Sequence, residues 1–170
     1  MKIKLKRTLS KAIESSYKWR IEYLTSEGIE LTEKLKHYLS KFTEGILDPD
    51  IAGKNPDKFI ERFQNSVFGE FSRRYIITAY DKEEVVGILI GMPKNEHRLH
   101  IYSVHVSPEY RGKGVGSALL TRCINDMVTN DFEDISLDVH SDNRSAYNLY
   151  RKFNFLEVKN KIKSINKGEF

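Results

Sequence analysis

A chain of 170 residues, 39% hydrophobic and 31% charged, is long enough to bury a full core and reads as one globular domain over 1–170. It holds no membrane-length apolar run, no apolar stretch after its basic start Met1-Lys-Ile-Lys-Leu-Lys-Arg7, and one cysteine, Cys123. These features argue against a membrane span, a secretory leader and an internal disulfide, and a cytoplasmic protein is expected. The net charge of +4 divides into +6 over residues 1–20, +4 over residues 151–170 and −6 between them. Basic ends on an acidic body do not group into a nucleic-acid-binding face, so nucleic acid is not an expected partner.

The chain opens ambiguously. Tyr17, Trp19, Ile21 and Tyr23 alternate with charged residues at strand period, while Leu9, Ala12, Ile13, Ser16, Arg20 and Leu24 fit one side of a helix. The alternation favours a strand at about 17–24, with residues 1–16 as an N-terminal extension of uncertain form. Leu31, Leu35, Tyr38, Leu39 and Phe42 then make a helical stripe. Pro56 opens a second helix, with Phe59, Ile60, Phe63 and Val67 on its apolar side.

Tyr75–Tyr80 and Val85–Met92 are β-rich runs joined as a hairpin through Asp81-Lys-Glu-Glu84, and Leu99–Val106 is a third run ended by Pro108. The next helix carries Gly116, Leu119, Leu120, Cys123, Ile124, Met127 and Val128 at helical spacing. Ile135–His140 is a strand. Asn143 or Ser141 caps a helix bearing Ala146, Leu149, Tyr150 and Phe153. Phe155–Val158 is a last strand, with Ile162–Ile165 as its candidate partner. The expected fold is α/β: a mixed sheet in which an antiparallel meander is followed by a parallel βαβ crossover.

The chemistry-bearing motif is Arg111-Gly-Lys-Gly-Val-Gly-Ser117, between a strand and a helix. Glycines let the backbone take φ > 0 and approach a ligand, and N–H groups at a helix start face an anion. Arg111 and Lys113 add positive charge. The spacing is neither Gly-x-x-x-x-Gly-Lys-Ser/Thr nor Gly-x-Gly-x-x-Gly. A tight turn that binds nothing explains the loop equally well when it is taken alone.

Three segments together narrow this. Val104–Leu120 with its Arg111-x-x-Gly114-x-Gly116 core, Leu137-Asp-Val-His-Ser-Asp-Asn143, and Asn143-x-x-Ala146-x-x-Leu149-Tyr150-x-x-Phe153-x-Phe155 resemble, in order and separation, the GNAT superfamily of acyl-CoA-dependent N-acetyltransferases. Asn154 stands where that family usually has glycine, and Asn tolerates the left-handed conformation. The resemblance implies acetyl transfer from acetyl-CoA, as co-substrate, to the amine of a small molecule or peptide. It implies that backbone groups of Gly112, Lys113, Gly114, Val115, Gly116 and Ser117, with Arg111, hold the pyrophosphate. Val104, His105, Val106 and Asn143 would hold the pantetheine arm, which requires a gap between the strands at Val104 and Leu137.

The same resemblance makes Tyr150 the acid that protonates the departing thiolate. Its place on an apolar stripe also suits a core residue. Asp138 is the candidate base, and an ion-paired carboxylate is the plainer reading; His105, His100 and Glu96 are runners-up. A base is needed because an amine of pKa about 10.4 is free at pH 7 in only about one molecule in a thousand. Cys123 reads as core, and no metal-ligand spacing is present, so no metal is expected. A non-catalytic acyl-CoA sensor and, against the charge distribution, a transferase acting on aminoacyl-tRNA are the competing readings. Monomer and homodimer are both open.

Overall fold

The computed structural model describes residues 1–15, 18–44 and 56–159. One seven-stranded sheet runs through it, built from β1 (Lys2–Thr8), β2 (Arg20–Tyr23), β3 (Tyr75–Asp81), β4 (Glu84–Pro93), β5 (Arg98–Val106), β6 (Asp134–His140) and β7 (Leu156–Glu157). The order is β2-β3-β4-β5-β6-β1-β7, with β5 and β6 parallel and every other neighbour antiparallel. The meander and the parallel crossover follow the sequence pattern. A two-residue turn closes the β3–β4 hairpin, with Lys82 at φ 55°.

Helices cover both faces. α1 (Gly28–Phe42) and α2 (Asp57–Gln64) bury Leu31, Leu35, Leu39, Phe42, Phe59, Ile60 and Phe63 against Ile76, Ile88, Ile90 and Met92. On the other face α3 (Val115–Thr129) packs Ala118, Leu119, Cys123 and Ile124 onto the sheet, beside α4 (Arg144–Lys152). Val67 does not belong to the α2 stripe. The helix ends at Gln64, Ser66 turns to φ 60°, and Val67 is left exposed. Asn154 takes φ 63°, the left-handed turn its side chain allows.

The N-terminus departs most from expectation. Residues 2–8 are not an extension but a strand inside the sheet, paired with β6 from Lys2–His140 to Thr8–Asp134 and with β7 through Leu5–Glu157 and Lys6–Leu156. Leu5 is fully buried, and the lysines at 2, 4 and 6 line the opposite face. β1 therefore fills the position next to β7. The C-terminal partner expected for β7, Ile162–Ile165, lies outside the described residues, as does Tyr17 of the expected first strand.

After β1 the chain crosses over α3 to the far edge of the sheet. No helix forms among its described residues 9–15 and 18–24, which sets aside the helical reading there. Leu9 N–H donates to the Glu133 carbonyl (2.8 Å), and Asn125 holds Ile13 at both its N–H (2.8 Å) and its carbonyl (3.0 Å). Trp19 ends the strap: its indole N–H donates to the Lys113 carbonyl (3.2 Å) and its ring meets Tyr110 edge-on.

Candidate active site

The β5–β6 ladder runs only from Arg98–Asp134 to Ile101–Leu137, although both strands continue. On its other side, β5 changes register against β4: Gly91 pairs with Ile101 and Ile90 with Ser103, which leaves Tyr102 as an extra residue. A bulge of this kind bends the strand that carries it. The bend falls where β5 leaves β6, and it accounts for the gap that the sequence reading required.

A cavity of about 630 Å³ fills that gap. Val104, His105 and Val106 line one side, Asp138 and Val139 the other, and Arg111, Gly112, Gly114, Val115, Gly116 and Ser117 one end; Asn143 and Tyr150 border it from α4. The structure thus brings every predicted site residue except Lys113 to one cavity. Lys113 gives its carbonyl to Trp19 and sets its ammonium over the Tyr110 ring at 5.3 Å.

Within the loop the glycines differ. Gly112 and Gly114 have φ of 77° and 87°, and a Cβ on either would meet nothing within 4 Å. Their backbone needs the left-handed conformation and faces open space, the condition for a close-approaching ligand. Gly116 already lies inside α3, and the φ > 0 expected there does not occur. A Cβ on Gly116 would lie 3.2 Å from Leu149 Cδ2, so this glycine lets α4 close on α3. Arg111 is also redirected: its guanidinium donates to the carbonyls of Val106 (3.3 Å), Phe42 (3.0 Å) and Glu44 (3.1 Å). Its charge ties down the C-terminal end of α1, where helix carbonyls lack intrahelical partners.

Asn143 is the N-cap of α4, its Oδ1 accepting from Ala146 N–H (3.2 Å). Tyr150 is 7% exposed, with its ring edge-on to Phe155 at 6.0 Å. Asp138 is an ion-paired carboxylate, 3.5 Å from Lys2 Nζ and 3.6 Å from His100 Nε2, and it borders the cavity as well. His100 is buried and within 2.7 Å of Ser136 Oγ through Nδ1. Burial pushes its imidazole down to about 4. The Asp138 carboxylate acts the other way, and Lys94, Lys4 and Lys2 add to the lowering. Of the other two candidate bases, His105 is buried in β5 on the cavity wall, whereas Glu96 lies away from the cavity as an exposed partner of Arg73 (3.4 Å).

The structure adds residues that the motifs did not mark. Ser145 and Lys152 of α4 line the cavity, and their spacing from the Asn143 cap is the signal that could have found them; Tyr110, Asp142, Ala146 and Leu149, which the motifs contain without a site role, line it too. Tyr110 is itself held by Asp81 (2.8 Å). Cys123 is buried in α3, and burial raises its thiol. Among the described residues no group of three or more His, Cys, Asp or Glu is placed to hold a metal, and no helix is long and apolar enough to cross a membrane.

The Acetyltransferase (GNAT) family profile matches residues 35–155. N-alpha-acetyltransferase MAK3 of Arabidopsis thaliana is 31% identical over 84 residues, 48% of this chain and 44% of that protein. The chain spans about half the length of the curated relatives it matches, or less. Among solved structures, the ribosomal-protein-S18-alanine N-acetyltransferase of Escherichia coli superposes with a TM-score of 0.63 at 20% identity, over 83% of this chain and 79% of that one. A GNAT family acetyltransferase from Elizabethkingia anophelis with acetyl-CoA bound gives 0.55 at 14% identity, over 79% and 74%. With the family profile spanning most of the chain, over the β5-loop-α3 and β6-α4 segments that build the cavity, the chain belongs to the GNAT acetyltransferase family.

Proposed function

We propose that this protein transfers the acetyl group of acetyl-CoA to a primary amine, the α-amine of a polypeptide. The carrying observation is the opening of β5 from β6 beyond Ile101–Leu137, into a cavity with glycine-loop N–H groups at one end and Asp138 and Tyr150 on its walls. The naming of an Arabidopsis relative as an N-alpha-acetyltransferase supports the acceptor class.

Bound there, acetyl-CoA supplies an activated acetyl thioester. The backbone of Gly112–Ser117 and the positive end of α3 suit its pyrophosphate, an interaction of typically ~0.3–1 kcal/mol per charge at an exposed helix end. The β5 edge at Val104, His105 and Val106 takes the pantetheine arm as an added strand, beside Asn143. The amine attacks the thioester carbon, the C–N bond forms and the C–S bond breaks. An α-amine has a pKa near 7.7–8.0, so about one molecule in ten is already neutral at pH 7, and Asp138 takes the remaining proton directly or through water. Tyr150 O–H gives a proton to the departing sulfur.

Incubating the protein with acetyl-CoA and a panel of peptides and small amines, with thiol release and acetylated product both measured, tests this. Calorimetric titration of CoA runs beside it. Acetylation of peptide α-amines is the expected result. Tight CoA binding with no transfer to any acceptor would instead assign the non-catalytic sensor, and salt-dependent binding of tRNA would move the acceptor to aminoacyl-tRNA.

A further inference from the structure

Asp138 sits beside a strand that the family motifs do not include. In the register of β1 on β6, Lys4 lies opposite Asp138 and Lys2 opposite His140. Residues directly opposite in an antiparallel pair share a face. The face carrying Asp138 therefore carries Lys2, Lys4 and Lys6 as well, with Arg98 and His100 from β5. Leu5 of β1 points to the other face and is buried there.

The acids on this stretch of sheet are accounted for. Asp134 meets both Arg98 (3.3 Å) and Lys6 (4.0 Å), and Asp138 meets Lys2 (3.5 Å). Lys4, exposed, adds a further cation opposite the Asp138 carboxylate. Lys94 directly follows β4, in the turn into β5, where its ammonium reaches the Phe68 carbonyl (3.3 Å) and the Tyr102 hydroxyl. Burial is the main cause of the lowering of His100, Asp138 opposes it, and Lys94, Lys4 and Lys2 add to it. Aromatic rings bound the site toward α2: Tyr102 is 4.6 Å from Phe68 and 4.6 Å from His100, between ring centroids.

We propose that β1 is a wall of the acceptor site and that Lys2 and Lys4 select an amine that carries a carboxylate close to the reacting nitrogen. This rests on the transferase reading above. An ammonium alone is repelled by this face. An acceptor with an acidic group one or two residues from its amine places its nitrogen at Asp138 and its carboxylate on the lysines. Two sources supply that chemistry: a polypeptide whose first residues are acidic, and a free amino acid.

The test compares kcat/KM at low salt for matched peptides Ser-Glu-Glu-Leu, Ser-Gln-Gln-Leu and Ser-Lys-Lys-Leu and for free glutamate, in wild type, Lys2→Gln, Lys4→Gln and the double variant. Reading the acidic-to-neutral ratio within each protein cancels any effect of Lys2 on Asp138 that both acceptors feel. Unit charges 4 Å apart in water change affinity about fivefold. With two such lysines the wild-type ratio is therefore expected at roughly 25-fold, carried in KM. Each single variant should lose about fivefold, and the double variant should approach one; 0.5 M salt should flatten the wild type. Efficient turnover of free glutamate places the carboxylate on a small molecule, and turnover of the acidic peptide alone places it on a polypeptide. A wild-type ratio near one, or a ratio unchanged in a folded double variant, overturns the proposal while leaving the transferase standing. No transfer to any acceptor overturns both.

Discussion

Replacing Gly114 by alanine adds one methyl group at a position where it meets nothing within 4 Å, so any effect comes from the backbone alone. At φ 87° an L-residue sits in the left-handed region, which costs roughly 1–2 kcal/mol. That free energy appears in one of two places. If the loop keeps its conformation, the folded state is destabilised and the thermal midpoint falls by about 2–8 °C for a chain of this size. If the loop relaxes, its N–H groups turn away from the phosphate site, and CoA affinity falls by about 5–30-fold. Calorimetric titration of CoA and thermal unfolding on the same sample read both, and the two losses should sum to the same 1–2 kcal/mol. Gly116→Ala is the internal control. Its φ is helical, and the new methyl presses only on the flexible end of Leu149 at 3.2 Å, so it should lose much less on either measure. A Gly114→Ala protein that binds CoA and melts like wild type would refute the claim that this glycine holds the loop open.

Where the chain repeats a local pattern, the fold could be read from it. Leu119, Leu120, Cys123, Ile124 and Met127 announce α3 by spacing, and all five are buried. The features that shape the site depend on long-range partners. Lys2-Ile-Lys-Leu-Lys alternates at strand period, yet a lysine-rich start resembles a solvated terminus unless its partner β6, more than 120 residues later in the chain, is known. The Tyr102 bulge has no local signature, because it exists only relative to Gly91 and Ile90 across the ladder. Arg111 shows the same limit: the motif places a cation at the loop, but only the packing of α1 reveals that its guanidinium is bonded to the Phe42 and Glu44 carbonyls. The ambiguity at Asp138 has a similar origin. The sequence offered a base or an ion pair; the structure pairs the carboxylate with Lys2 and His100 and also places it on the cavity wall.

Tyr150→Phe keeps the buried ring and removes one hydroxyl, so kcat should fall by roughly 100-fold or more with CoA affinity retained; full turnover in the variant would leave Tyr150 a core residue. Leu5→Ala, at a fully buried site on β1, should cost about 2–5 kcal/mol and lower the thermal midpoint by roughly 5–20 °C, whereas a dispensable N-terminal arm would lose almost nothing. His100 falls from 6.5 to about 4 on folding, chiefly by burial. Between those values the unfolded chain binds more protons than the folded one, so this stabilisation is complete above pH 6.5 and is lost as pH falls toward 4. His100→Asn removes that linkage. Its thermal midpoint should decline less steeply between pH 7 and pH 4 than that of wild type, with the two stability curves converging or crossing by up to about 3 kcal/mol at the acid end. The difference is read against wild type because Asp138 and the other carboxylates titrate in both proteins. Parallel curves would show that His100 is not held neutral by its surroundings.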